Sequence, residues 1–414
     1  MTVSRTEERP ARAVFRSRVF VLMWSGFVIS TVGDQLYRVA LAVGVSSRGA
    51  GALASLGLVL ALPTALFGLL SGVLIDHTNK FRLLIRTDLL RAAIVAALGC
   101  VFLSARPPLP GVLALAGLLG VVSVLFAPGL QALLPEMSSG TDEMVAMDTW
   151  ILGAAGSAAV IGPAVSGALL AIVDPEILMW ADAATFVCSA VMLAGARRRM
   201  HAGAPRPDPP RAAGTRVKAA ADGLRFVLRH DVLRPCFLTF PLMEFAAYCI
   251  PFLLPLIISA HYGHMRSDIY GLCLAALGGG RLLGMILVNR SALKRNRGRI
   301  LRGNFILQGI PIVGVAAYGR PLLIPAALVV VGVASGAAQV SMSSYVQVEV
   351  APQMRGRVFS SLLSMTSWLQ PLGALVFGSV AAAFGASVAF ALIGAILVLG
   401  GTRLLLSTSL ASVR

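Results

Sequence analysis

The chain has 414 residues, of which 57% are hydrophobic and only 13% charged, and its mean hydropathy is +0.83. These values exclude an ordinary soluble domain and a disordered chain and mark a polytopic membrane protein. A formal charge of +17 would suit a phosphate backbone, but the basic residues gather in alternate polar segments, which excludes nucleic acid and makes the lipid bilayer the partner.

A helix needs about 20 apolar residues to cross a hydrocarbon core of roughly 30 Å. Twelve runs meet that need, centred near residues 32, 62, 94, 122, 160, 187, 248, 278, 309, 334, 370 and 396. The basic segment from Arg5 to Arg18 leads into a full-length run with no small-residue cleavage site, so the first run reads as an anchor and not as a cleaved leader. Basic residues recur from Lys80 to Arg91, Arg197 to Arg234, Arg290 to Arg302, and at Arg355 and Arg357, whereas the alternate loops hold Arg48, Arg106, Arg266 and Arg320. That bias places both termini in the cytoplasm. Glu136, Asp142, Glu143 and Asp148 after the fourth run dissent, but acidic residues count little in the rule.

After the sixth run, the stretch from Arg197 to about Arg216 is rich in Pro, Arg, Ala and Gly and reads as a linker. Leu224, Val227, Leu228 and Val232 then share one helical face, which suits an interfacial helix or an extension of the seventh span. The expected organisation is a six-helix half at 1–196, a cytoplasmic linker at 197–234 and a second half at 235–414. Gly57-Leu-Val-Leu-Ala61 lines up with Gly271-Leu-Cys-Leu-Ala275, and Lys80 with Lys294 at the same offset, as duplicated halves would.

Five cysteines at positions 100, 188, 236, 249 and 273 have neither disulfide nor zinc spacing. His261 and His264 lie in a loop without a carboxylate cluster, so no metal is expected, and the chain has no Walker-type phosphate loop. No cofactor is implied, and energy comes from a gradient or a partner.

Ionisable groups inside a span cost roughly 2.5–3.5 kcal/mol each on insertion scales and are candidate functional groups. Asp34 and Arg38 sit one turn apart on the first span, with Asp34 ~21 Å from its inner end at ~1.5 Å per residue. Glu244 on the seventh span and Arg281 on the eighth reach similar depths, ~10 Å above the inner boundary. Each pair reads either as a coupling or substrate site or as a structural ion pair. Asp88 and Arg91, in the first turns of the third span, read as organisers of an inner gate. Asp182, near the outer end of the sixth span and close to water, reads as structural. Gln339, Ser341, Ser343 and Tyr345 form a polar stripe on the tenth span, and Trp24, Tyr37, Phe245 and Tyr248 either stack on substrate or fill the core.

Gly72-Val-Leu-Ile-Asp76-His-Thr-Asn-Lys80-Phe-Arg82 resembles the loop between helices 2 and 3 of major facilitator superfamily transporters, with His77 where Arg is usual and Asn79 where Gly is usual. Further stretches resemble the drug:proton antiporter family that includes macrolide and enterobactin exporters. They are Ile29-Ser-Thr-Val-Gly-Asp34, Asp88-Leu-Leu-Arg91, Phe126-Ala-Pro-Gly-Leu-Gln131, Asp182-Ala-Ala-Thr-Phe186 and Arg355-Gly-Arg357-Val-Phe-Ser360. Gly156 and Gly162-Pro163-Ala-Val-Ser-Gly167 look like the antiporter Gly-Pro element, with Pro371 and Gly373 as its counterpart in the eleventh span.

The resemblance implies an all-α fold of twelve transmembrane helices in two pseudo-symmetric halves, alternating access, and export of small amphipathic molecules by proton antiport. The protein would be a monomer in the bacterial cytoplasmic membrane, with a small-molecule substrate and protons as partners, and not an enzyme. It places Asp34, Arg38 and Glu244 near the substrate, with Tyr37, Tyr248, Gln339 and Tyr345 as lining. A proton-coupled exporter needs a carboxylate that loads and releases a proton as its surroundings alternate between wet and dry, and Asp34 is the first choice for it. Asp76 is implied to gate the cytoplasmic side at the inner end of the eleventh span, beside Arg355 or Arg357, with Lys80 and Arg82 at the lipid surface. Siderophore export, lysolipid flipping and a non-transporting sensor or scaffold remain the alternatives.

Overall fold

The computed structural model describes residues 14–76, 78–104, 106–138, 140–170, 172–200, 225–230, 233–263, 266–289, 297–317, 323–350, 358, 369 and 371–406. Among these the regular structure is helical. After a 3₁₀ turn at Val14–Arg16 come α1 (Arg18–Ser46), α2 (Ala50–Asp76), α3 (Lys80–Phe102), α4 (Leu109–Ser123), α5 (Phe126–Met137), α6 (Thr141–Leu169) and α7 (Pro175–Met200). A short helical stretch at 225–229 precedes α8 (Leu233–Ala247), α9 (Ile250–Tyr262), α10 (Ser267–Asn289), α11 (Arg297–Ala317), α12 (Leu323–Glu349), α13 (Pro371–Phe384) and α14 (Ala386–Leu405).

Helices are what such runs must form, because only a helix satisfies its own backbone groups in lipid. Asn79 begins α3 as a cap, its side chain accepting from the Arg82 N–H at 3.0 Å. Gly263, at φ 78°, ends α9, and Gly385, at φ 92°, separates α13 from α14; both conformations are open to glycine at little cost.

Among the described residues nine helical stretches are long and apolar enough to cross a membrane, and α8 with α9, bent by 40°, makes a tenth. The bend falls at Tyr248 and Cys249, just before Pro251, and the fourth run breaks between α4 and α5 just before Pro128; in both places proline removes a backbone donor. Helix α3 is long enough but carries Lys80, Arg82, Arg86, Asp88 and Arg91, and α13 is shorter, with most residues just before it outside the described set. In the stretch at 225–229, Val227 is buried and Leu228 exposed; Leu224 and Val232 lie outside the described residues.

The chain forms two compact units. The first comprises Met1–Leu41, Leu66–Gly162 and Val173–Arg211. In it α3 packs along α7 and against α4 and α5. Phe20, Met23 and Phe27 of α1 meet Phe81 and Leu84 of α3, Phe126 and Leu130 of α5, and Leu193 of α7 in one apolar core.

The second unit comprises Ala42–Ala65, Pro163–Ile172 and Ala212–Arg414. Here α10 lies along α12, α12 along α11, and α11 along α14. Glycines bring these backbones together: a Cβ at Gly280 or Gly284 would strike the carbonyls of Val329 or Val333, and one at Gly332 or Gly336 those of Leu277 or Arg281. In lipid there is little hydrophobic drive between helices, so such close packing replaces it. Large apolar side chains such as Val191, Ile310 and Leu399 remain exposed, as lipid-facing positions do.

Candidate functional site

In the first unit α1, α3 and α7 bring five polar side chains together. Arg91 of α3 is the hub. Its Nη2 donates to Asp34 Oδ1 at 2.7 Å and Oδ2 at 2.8 Å, and its Nη1 to Asp88 Oδ1 at 3.2 Å. The guanidinium carbon lies 4.0 Å from the Phe186 ring centroid and 5.0 Å from that of Phe126. Two rings and two carboxylates thus replace the hydration that a cation loses in the membrane. Arg91 and Asp88 are buried, while Asp34 keeps 19% of its side chain exposed.

Asp182 completes the cluster from α7. Thr185 Oγ1 lies 2.7 Å from its main-chain oxygen and 3.0 Å from Oδ1. A Cβ at Gly33 on α1 would collide with both Thr185 Oγ1 and Asp182 Oδ1, so glycine at that position is what lets α1 approach α7. Asp88 Oδ2, Arg91 Nε and Asp182 Oδ2 are buried without a hydrogen-bond partner among the described residues.

Three expectations are revised here. Asp34 has a salt bridge to Arg91 of α3, which spacing along α1 does not reveal, and the Arg38 guanidinium stands 6.0 Å from the ring centroid of the buried Tyr37. Spacing along one helix reveals only neighbours on that helix; a buried cation on α3 recruits its carboxylate across the helix interface instead. Asp88 and Arg91 are not at the mouth of α3 with the loop but beyond its second turn, where Arg91 bonds both Asp88 and Asp34. Asp182 is not beside water: it is fully buried, because α1 covers it at Gly33.

At the other end of α3, Lys80 Nζ reaches Glu136 Oε1 of α5 at 2.8 Å, a pairing where a lipid-surface position was expected, while Arg82 is exposed. Gly72 and Asp76 lie in the last turns of α2, but their side-chain surroundings, with Arg355 and Arg357, are outside the described residues.

In the second unit Arg281 of α10 donates from Nε at 3.3 Å and Nη2 at 2.9 Å to Gln339 Oε1 of α12. Glu244, its expected partner, lies on α8 with its side chain outside the described residues. Tyr345 is buried with its ring edge-on to His230 at 6.3 Å, and Tyr248 lies 5.4 Å from Phe252. Phe245 meets Phe377, and in the first unit Trp24 donates to the Trp150 carbonyl at 3.1 Å.

The glycines of the Gly-Pro element divide. Gly162 faces Gln35, and Gly167 faces the Gly271 backbone so closely that a Cβ on either would overlap the other, whereas Gly156 faces open space. Pro163 is inside α6, Pro371 is buried, and Gly373 lies against the Phe245 carbonyl. Among the described residues no group of three His, Cys, Asp or Glu could hold a metal ion.

Ionisable residues inside membrane spans mark functional sites by default, and the family model described as Major Facilitator Superfamily matches residues 19–369. The chain belongs to the major facilitator superfamily. Its members are transporters and not enzymes. The chain is 26% identical over 344 residues to the multidrug efflux pump Tap of Mycobacterium tuberculosis, covering 80% of this chain and 78% of Tap. It is 23% identical over 337 residues to the staphyloferrin A transporter of Staphylococcus aureus, covering 80% and 81%. Among solved structures it resembles a bacterial homologue of the lysosomal transporter Spinster in an inward-facing, unoccupied conformation, with TM-score 0.69 and 14% identity, covering 98% of this chain and 96% of that one. The major facilitator fold of this chain is therefore established by family and by shape, and it is a multi-pass membrane protein.

The members of the cluster that the sequence placed at a gate or in a structural role were visible as charges. Asp88, Arg91 and Asp182 are ionisable residues within apolar runs, and such residues need partners in lipid. What spacing could not supply was that α1, α3 and α7 put them on Asp34.

Proposed function

We propose that this protein exports small amphipathic molecules in exchange for protons by alternating access, and that its halves are residues 1–196 and 235–414 joined by 197–234. The observation that carries the reading is the Arg91–Asp34 bridge: a carboxylate inside the bilayer, partly open to solvent, holds a cation that is otherwise sealed. Protonating Asp34 removes the charge that fixes Arg91, so proton binding and rearrangement of α1 against α3 become one event. Similarity to Tap supports drug-like amphiphiles as cargo. Arg38, Glu244 and Arg281 are assigned to coupling or substrate recognition, and Asp76 to the cytoplasmic gate. The protein is read as a monomer of a bacterial cytoplasmic membrane with both termini inside.

A dedicated siderophore exporter is the second reading, supported by similarity to the staphyloferrin A transporter. The test is ethidium accumulation in inside-out vesicles under an imposed pH gradient. Wild type is expected to accumulate the dye, and Asp34→Asn and Glu244→Gln to lose accumulation. If neither substitution changes it, proton antiport through these carboxylates is wrong. If ethidium stays out while a siderophore moves, the second reading replaces the first.

A further inference from the structure

Asp182 is an ionisable group of the cluster to which the proposed cycle gives no role, and its geometry bears on its protonation. Thr185 Oγ1 is 2.7 Å from the Asp182 main-chain oxygen and 3.0 Å from Asp182 Oδ1. A hydroxyl has one proton to donate and two lone pairs to accept with. The shorter contact, to the carbonyl three residues back, takes that proton. A protonated Oδ1 satisfies the second contact by donating to Oγ1, whereas an ionised one has to share the single hydroxyl proton with the carbonyl.

The other oxygen supports the same state. Asp182 Oδ2 is buried with no hydrogen-bond partner among the described residues. An orphaned carboxylate oxygen is far costlier in an apolar interior than the carbonyl oxygen of a neutral acid. Charge balance agrees as well. The charged groups acting on Asp182 are Asp34 and Arg38 from α1 and Arg91 from α3, with the Tyr37 phenol alongside. Asp88 is bonded to Arg91. With Asp182 neutral, two carboxylates face two guanidinium groups. Ionised, it would add a third negative charge, with Oδ2 lacking a donor and Oδ1 sharing the Thr185 hydroxyl with a carbonyl.

We infer that Asp182 is protonated in this conformation, donates to Thr185 Oγ1, and is the second proton-binding group of the transport cycle. The role rests on the proton-antiport reading. When a proton reaches Asp34 and the bridge opens, Arg91 is free to turn to Asp182. The Asp182 O–H bond then breaks, its electron pair stays on the carboxylate facing Arg91, and the proton leaves to water on the side of Asp34, the partly exposed member of the three carboxyls.

The experiment is infrared spectroscopy of the purified full chain in lipid nanodiscs at neutral pH, in H₂O and D₂O, reading the carbonyl band of a protonated carboxylic acid. The band is expected in wild type and in Asp88→Asn, absent in Asp182→Asn, and shifted to higher frequency in Thr185→Val, which removes the hydrogen-bond acceptor. The Thr185 variant keeps the test decisive if Asp182→Asn does not fold. A band missing from wild type, lost in Asp88→Asn, retained in Asp182→Asn or unmoved in Thr185→Val overturns the assignment. In proteoliposomes, Asp182→Asn is expected to keep downhill ethidium movement and to lose at least tenfold of the uphill movement driven by a pH gradient. Undiminished coupling in that variant overturns the role alone. A wild type that shows no pH-driven movement overturns the antiport reading and the role, and leaves the infrared assignment of the proton standing.

Discussion

Arg91 on α3 holds Asp34 on α1 through a single nitrogen, Nη2, at 2.7 and 2.8 Å to the two carboxylate oxygens, while its other terminal nitrogen holds Asp88. In the proposed cycle, this division of one guanidinium between a partly exposed carboxylate and a sealed one would link proton binding to helix position. A lysine has one point charge and no planar face, so it cannot hold both carboxylates and lie between Phe126 and Phe186. Arg91→Lys is expected to lower unfolding stability by about 2 kcal/mol and to abolish uphill transport. A detergent melting series paired with vesicle transport checks it.

Gly33 and Gly156 make a matched contrast. A Cβ at Gly33 meets Thr185 and Asp182, whereas one at Gly156 meets nothing within 4 Å. Gly33→Ala is expected to cost about 1–3 kcal/mol, the usual range for overpacking. Gly156→Ala is expected to be neutral or to stabilise by up to about 1 kcal/mol, since it improves helix propensity without a clash. Equal melting of the two variants would contradict the packing of α1 on α7.

The Lys80–Glu136 bridge ties the start of α3 to α5 with both side chains less than a fifth exposed. Glu136→Gln is expected to cost about 1 kcal/mol, less in high salt. The charge swap Lys80→Glu with Glu136→Lys is expected to recover most of that loss. A double-mutant cycle on melting measures the coupling, and additivity of the single changes would show that the pair contributes nothing.

Arg281 and Gln339 separate binding from structure in the second unit. The glycine seam already holds α10 to α12, so Arg281→Lys is expected to change unfolding stability by less than about 1 kcal/mol, in keeping with the modest worth of side-chain bonds between membrane helices. The half-saturating ethidium concentration is expected to change at least threefold. Lost stability with unchanged half-saturation would make Arg281 a structural pair.

The helices were legible in the sequence because each apolar run must satisfy its own backbone. The breaks inside the fourth and seventh runs were less so: Pro128 and Pro251 were visible, but proline is common in membrane helices, and whether it bends or breaks one depends on its neighbours. The site was half legible. Asp34 could be chosen from its depth alone, and Arg38 was its obvious partner because periodicity shows same-helix neighbours. Arg91 and Asp182 became its neighbours only through packing set by Gly33 and by the aromatic pair Phe126 and Phe186, which are far from Asp34 in sequence.

The measurement closest to the central claim is the lumenal pH of proteoliposomes, read with trapped pyranine while ethidium moves down its own gradient. The account predicts proton counterflow in proportion to dye movement in wild type and none in Asp34→Asn. Dye movement in wild type with no change in lumenal pH, or the same proton flow in Asp34→Asn, would contradict it.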